Sequence, residues 1–284
     1  MRPARSDDFR LPDLRFVPVD ALVPHERHDP QRLEPLVRGF RSQAVLKNPP
    51  IVAELPGSSG CFMVLDGANR STAARESGLP HILVQVAVYE EPWVRLSTWH
   101  HALSGLDRAT FEDAARKIPG IELREDTILH SRALLARREA LAYSAYPGLG
   151  ATTFRGGPTL EERNQLLNGL VDVYRDRVRF YRMSTESFEV ARERHPDATI
   201  LVVFPHFEPA EVLELAGSGS RLPAGITRHL IRWRALRVNV PMEIMADASK
   251  SLEQKNQWLE RWLEERWAQR QVRFYEESTV LFDE

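Results

Sequence analysis

The sequence predicts an α/β protein, and three observations carry that prediction. Short apolar runs of strand length, such as Pro50 to Leu55 and Cys61 to Leu65, alternate with segments whose apolar residues recur at helical spacing, such as Thr159 to Asp176 and Ser251 to Arg270. The order near the start is strand, helix, strand, strand, turn, helix, strand, which makes a compact α/β unit of about 90 residues. The chain has 284 residues, comfortable for two modest domains, and its pattern changes after Glu91. The expected division is residues 1–95 for the first domain and residues 96–284 for a second, mixed α/β domain.

The elements follow in order. Leu14 to Val23 alternates and ends at Pro24, as a strand does. Pro30 to Gln43 carries Leu33, Leu36, Val37 and Phe40 at helical spacing, with Asp29 as its cap. Gly57 to Gly60 is a turn between two strands. Asn69 to Ser77 is a short helix closed by Gly78. Ile82 to Tyr89 is the next strand. Beyond it, helices are expected over Leu96–Leu103, Thr110–Lys117, Thr127–Arg137, Thr159–Asp176 and Glu186–Arg194. Strands are expected over Glu139–Tyr146, Val178–Arg182, Thr199–Phe204 and Ala235–Val240. The last helix, Ser251 to Arg270, carries Leu252, Trp258, Leu259, Trp262, Leu263 and Trp267 in a stripe that reads as core packing.

Composition narrows the function. Hydrophobic residues make up 43% and charged residues 27%, ordinary values for a soluble globular protein. The net charge of −2 points to neither a nucleic acid nor an anionic membrane as partner. The single cysteine, Cys61, forms no internal disulfide and rules out cysteine-based zinc clusters. The charged start lacks the apolar core of a secretory signal, and no stretch reaches the ~18 apolar residues of a membrane span. The expected location is the cytoplasm, and the oligomeric state stays open.

Chemistry concentrates at Asp66-Gly67-Ala68-Asn69-Arg70, where an apolar strand runs into a helix. Such a junction aims backbone N–H groups and a helix N-terminus at one spot and attracts anions. Gly67 allows close approach of a ligand, and Arg70 matches phosphate oxygens. Asp66 would repel a bare phosphate, so its presence suggests a metal or a hydroxyl held nearby. On pattern alone, an ordinary tight turn with Asp66 as cap fits equally well. Lys47, one of only four lysines among 38 basic residues, could contact a phosphate or be solvated. Trp99 could floor a pocket where the two halves meet, or sit in a core. His100-His101 is not a metal-ligand spacing on a helix.

The run Val64 to Ala74 followed by Gly78-Leu79-Pro80, with Leu46-Lys47-Asn48-Pro49-Pro50-Ile51-Val52 upstream, resembles the signature of the ParB/sulfiredoxin superfamily over residues 13–89. Sulfiredoxins place a nucleophilic cysteine after this glycine, where this chain has Ala68. The segregation proteins follow the domain with a basic helix-turn-helix, and no such segment is found here. Leu22-Val23-Pro24-His25-Glu26 resembles the free-serine kinases, and so does Leu222 to His229 followed by Arg234 to Asn239. The siderophore-pathway phosphoserine synthases related to those kinases share the latter segment.

The resemblance implies a small-molecule kinase that moves a phosphoryl group from ATP or ADP, with Mg²⁺, to the hydroxyl of L-serine or a similar amino acid. It implies Glu26 as base and Asp66 as holder of Mg²⁺ or of the hydroxyl. Lys47, Gly67, Ala68, Asn69, Arg70 and Ser71 would bind the phosphates. Trp99, Thr227, Arg228 and His229 would bind the amino acid, with Arg228 on its carboxylate. The kinases usually show Asp-Gly-His-His-Arg; here Ala68 and Asn69 stand in place of the two histidines. A nucleotide-sensing regulator and a binding protein with a degenerate pocket are the rival readings.

Overall fold

The computed structural model describes residues 11–27, 37, 40, 44–58, 60–148 and 150–275. The first half is a five-stranded sheet in the order β1-β6-β4-β5-β2. Its strands are β1 (Asp13–Pro18), β2 (Leu22–Pro24), β4 (Ile51–Glu54), β5 (Phe62–Asp66) and β6 (His81–Val86). The short β3 (Val45–Leu46) lies apart from it, and α1 (Ala68–Glu76) follows β5. The pairs β2/β5 and β4/β6 are parallel, while β1/β6 and β4/β5 are antiparallel.

Both faces of this sheet are covered, which is why β4 and β5 read as unbroken apolar runs rather than alternating ones. Val52, Phe62 and Val64 face one core, with Ala73 and Ala74 of α1. Ala53, Met63 and Leu65 face the other core, which they share with the second half of the chain. The helix expected over 30–43 lies outside the described residues except for Val37 and Phe40. Phe40 is buried in the first of these cores.

The second half holds a six-stranded antiparallel sheet, β12-β8-β13-β10-β11-β9. After β7 (Val94–Thr98) come β8 (His100–Ser104), α2 (Arg108–Arg116), β9 (Glu122–Thr127) and α3 (Ile128–Ala136). Then come β10 (Ala142–Ala145), β11 (Gly150–Arg155), α4 (Leu160–Asp172), β12 (Arg179–Met183), α5 (Phe188–Arg194), β13 (Ala198–Val203) and α6 (Pro209–Gly217). The helices over α2 to α5 fall where their patterns place them. Their N-caps are Asp107, Thr127, Thr159 and Ser187, each accepting a backbone N–H through its side chain.

The segment Leu96–Leu103 is not a helix. It forms the end of β7 and most of β8, with Trp99 between them. Pairing with β12, β13 and β14 (Thr227–Ile231) satisfies its backbone, and those partners override a weak local preference.

Ala235–Val240 is not a strand either. Only Val240–Pro241, here β15, pairs, with β3. Trp233, Arg237 and Asn239 have φ of 61°, 51° and 57°, which a strand does not admit. After α7 (Met242–Ala246) the chain returns to the first sheet. In α8 (Leu252–Ala268), Leu252, Trp258, Leu259, Trp262 and Leu263 pack on the first core, while Trp267 is exposed. Asn256 brackets Phe16 of β1, accepting its N–H at 2.8 Å and donating to its carbonyl at 3.1 Å.

Candidate active site

Two adjacent strand ends build the site. Pro24 of β2 lies beside Val64 of β5 in parallel register, so both strands finish on the same edge. His25 and Glu26 leave one end; Asp66 and Gly67 leave the other. Ligands of α/β sheets gather outside the carboxyl ends of strands for this reason.

At the end of β5, Gly67 adopts a left-handed conformation with φ of 88°, and α1 begins at once. No side chain caps that helix, so its first backbone N–H groups are not occupied by a capping side chain. The guanidinium of Arg70, on the first turn, donates to Asn48 O at 2.7 Å and reaches Asp66 Oδ2 at 3.5 Å. Arg234 also donates to Asp66, so the carboxylate is clamped between two guanidiniums.

Arg234 arrives on the irregular loop after β14. That loop is pinned by Ala235 N to Gln85 Oε1 at 2.8 Å, by Arg237 N to Asn48 Oδ1 at 2.8 Å and by Asn239 N to Lys47 O at 3.3 Å. Lys47 and Asn69 are half-buried beside this turn. Ala68 packs toward the first core. Ser71 is buried, and its hydroxyl donates to Gly67 O within its own helix, so its side chain does not face a ligand.

At the end of β2, Glu26 enters a cradle. Gly225 N donates to Oε2 at 2.8 Å, and Thr227 N donates to Oε1 at 2.7 Å. The Thr227 hydroxyl donates to the same oxygen. The Glu26 side chain is 15% exposed, so the carboxylate is not sealed from solvent. His25 is buried: its Nδ1 donates to Val64 O at 2.5 Å, and its Nε2 meets Thr227 Oγ at 2.7 Å. His229 contacts Tyr89 OH at 3.0 Å and stands edge-on to His25, with ring centroids 5.0 Å apart. Burial, followed by the neighbouring His25, holds His229 well below the usual imidazole range. Because His25 bonds to Val64, two residues before Asp66, the carboxylate cradle and the Gly67 turn lie within roughly 7 Å of strand of one another.

The cradle is supported from behind. His101 Nε2 donates to Gly225 O at 3.1 Å, while its Nδ1 meets Tyr174 OH at 2.7 Å. Both the N–H and the carbonyl of Gly225 are thus engaged. His100 accepts from Phe204 N at 3.2 Å. Burial above all pushes the imidazoles of His100 and His101 down to about 3.

Thr227-Arg228-His229 does not act as one group. These residues lie on β14, where successive side chains alternate faces. Thr227 and His229 face the cradle. Arg228 faces away and lies over the Trp99 ring at 4.3 Å from its centroid. Sequence reasoning singled out this segment without assigning it to a strand, so it missed the alternation. It also assigned no role to Arg234, although the segment containing it stood out.

A half-buried carboxylate held beside a left-handed glycine turn and a helix start, on adjacent parallel strand ends of an α/β chain, is an arrangement that phosphoryl-transfer chemistry can use. The fold is that of the free-serine kinases. A solved free-serine kinase in complex with AMP superposes with a TM-score of 0.71 at 19% identity, covering 86% of this chain and 98% of that one. A C-terminally truncated SbnI from Staphylococcus aureus gives 0.70 at 20% identity, covering 89% and 97%.

The curated relatives are L-serine kinases. An ATP-dependent L-serine kinase from Staphylothermus marinus is 33% identical over 110 residues, which is 39% of this chain and 42% of that protein. The chain thus matches less than half the length of this relative. The ATP-dependent L-serine kinase SbnI of Staphylococcus aureus is 24% identical over 95% of this chain and 97% of its own length. No family model matches.

Proposed function

We propose that the protein transfers a phosphoryl group from ATP or ADP to the hydroxyl of L-serine, giving O-phospho-L-serine. The observation that carries this reading is the Glu26 carboxylate, fixed by three donors beside the Gly67 turn. Relatives spanning nearly the whole chain, or covered by it, carry the names of ATP- and ADP-dependent L-serine kinases.

An alcohol is a poor nucleophile. A carboxylate positioned at hydrogen-bond distance accepts its proton as the new O–P bond forms. Gly225 N and the two Thr227 donors leave Oε2 of Glu26 with acceptor capacity for that hydroxyl. The uncapped start of α1 and Arg70 bind the phosphates, with Asn69 supplying an amide where Ala68 cannot. Lys47 adds a point charge at the same edge.

Asp66 and Arg234 form a pair that opens when a polyphosphate arrives, because Arg234 then has a phosphate to neutralise. Among the described residues no cluster of three or more His, Cys, Asp or Glu side chains could hold a metal ion. One carboxylate still suits Mg²⁺, which keeps several waters and takes phosphate oxygens. Asp66 would hold the Mg²⁺ that enters with the nucleotide, and the ion would offset charge on the polyphosphate. Residues 1–95 supply the phosphate turn and the base in this reading, and residues 96–284 supply Thr227 and His229 for the amino acid.

Purified protein with Mg²⁺, L-serine and either ATP or ADP tests the reading. O-phospho-L-serine by mass spectrometry is the expected product, and the nucleotide that yields it names the donor. Absence of product with both nucleotides would refute it.

Gly67→Ala tests the turn. A Cβ there would lie 2.9 Å from Arg70 Nη2 and 3.1 Å from Pro50 Cα, at a φ that L side chains rarely adopt. Such strain costs about 1–3 kcal/mol. Nucleotide affinity is expected to fall about tenfold, read by calorimetric titration. Unchanged affinity would place the phosphates elsewhere.

A further inference from the structure

We infer that Arg182 reads the carboxylate of the amino-acid substrate and sets the preference for an amino acid over a simple amino alcohol. The inference rests on the kinase reading of the same site.

Arg182 lies on β12, the edge strand of the second sheet, paired in register with His101 of β8. His101 donates to Gly225 O, so the two side chains approach the same turn from neighbouring strands. Gly225 has a φ of 78°, and a Cβ on it would lie 2.5 Å from Arg182 Nε and 2.6 Å from Nη2. The guanidinium therefore fills the space that any side chain at position 225 would need. The amide of this same residue donates to Glu26 Oε2. A planar cation thus packs one residue away from the base.

That cation is not committed elsewhere. Arg182 is exposed, and its side chain makes no hydrogen bond, ion pair or ring contact with any described residue. Most other arginines around the site are engaged. Arg70 is bonded to Asn48 and Asp66, Arg234 is paired with Asp66, and Arg228 lies over Trp99 on the far face of β14. Arg228 is thus badly placed for the role that its sequence neighbourhood suggests, and Arg182 takes it.

L-Serine carries its carboxylate two carbons from the hydroxyl. A hydroxyl on Glu26 Oε2 therefore leaves the carboxylate within reach of a guanidinium packed against Gly225. A guanidinium offers two parallel N–H donors to a carboxylate, which a lysine does not. The α-ammonium group is left for the acceptors of the cleft.

The test compares L-serine with ethanolamine, which has the hydroxyl and the amine but no carboxylate. Each is titrated calorimetrically into the full-length protein with Mg²⁺ and a non-hydrolysable nucleotide analogue, for the unaltered chain, Arg182→Ala and Arg182→Lys. The unaltered protein is expected to prefer L-serine by roughly 100-fold. Arg182→Ala is expected to lose most of that preference while nucleotide affinity stays unchanged, and Arg182→Lys to recover only part of it. In turnover the same loss should fall on KM for L-serine more than on kcat.

L-Serine binding to Arg182→Ala that equals binding to the unaltered protein would overturn the assignment and leave the kinase reading standing. An unaltered protein that binds neither amine would overturn both. Folding of the variant is checked by its retained nucleotide binding.

Discussion

Glu26→Gln should lower phosphoserine formation by about 10²- to 10⁴-fold, the usual contribution of a positioned base. Nucleotide affinity should stay within a factor of about two, because the anion turn is built from β5 and α1 and not from β2. The amide is nearly isosteric with the carboxylate but cannot take a proton from an alcohol. It also meets the cradle badly. Gly225 N and Thr227 N both point donors at the carboxylate oxygens. An amide offers one oxygen and one NH₂ to these donors, so one N–H faces another.

A stability loss of about 1–2 kcal/mol accompanies the change for that reason. Thermal unfolding measured beside turnover separates the two effects. A variant that keeps half of its activity would remove Glu26 from the chemistry, however well it is held.

Acid should destabilise the fold from the region of pH 6.5 downward. His100 and His101 have their folded-state values pushed down to about 3 by burial, against an ordinary 6.5, and His229 is also held well below it. The sign follows from proton counting. Above pH 6.5 these imidazoles are neutral in both states and contribute nothing that varies with pH. Below pH 6.5 the unfolded chain takes up protons that the folded chain refuses. Stability is therefore lost as pH falls below 6.5, and for His100 and His101 the loss continues toward pH 3.

His101 matters most, because it has no room for a second proton. Its Nε2 proton already goes to Gly225 O, and its Nδ1 meets Tyr174 OH. Urea unfolding at pH 7 and pH 5 should show a clearly lower midpoint at pH 5. Equal midpoints would mean that the buried imidazoles accept protons within the fold.

Much of this architecture is legible in the residues. The first sheet and α1 are, because β4 and β5 are continuous apolar runs and Asp66-Gly67 stops the second of them abruptly. The Trp258 and Trp262 stripe of α8 is, because its spacing fixes a face of a helix. The Gly67 turn stands out as a local motif and Glu26 only through the resemblance of its segment to the free-serine kinases, and the fold brings their strand ends side by side.

Other features depend on partners distant in the chain. Leu96–Leu103 has no decisive local preference, and its strands exist because β12, β13 and β14 supply hydrogen bonds. The roles within Thr227-Arg228-His229 divide only once β14 pairs with β7 and alternates its side chains. Arg182 carries no local signal at all. It matters because a left-handed glycine 43 positions further along opens space for its guanidinium. Ser71 follows the motif by position, yet its hydroxyl turns into its own helix.

In the proposed reaction the hydroxyl oxygen of L-serine attacks phosphorus at the end of β5 while Glu26 takes its proton. L-Serine carrying oxygen-18 in its hydroxyl, incubated with the protein, Mg²⁺ and the donor nucleotide, tests this most directly by mass spectrometry of the product. The expected product is O-phospho-L-serine that retains the heavy oxygen, bridging carbon and phosphorus. Phosphoserine that has lost the label, or no phosphoserine with either nucleotide, would contradict it.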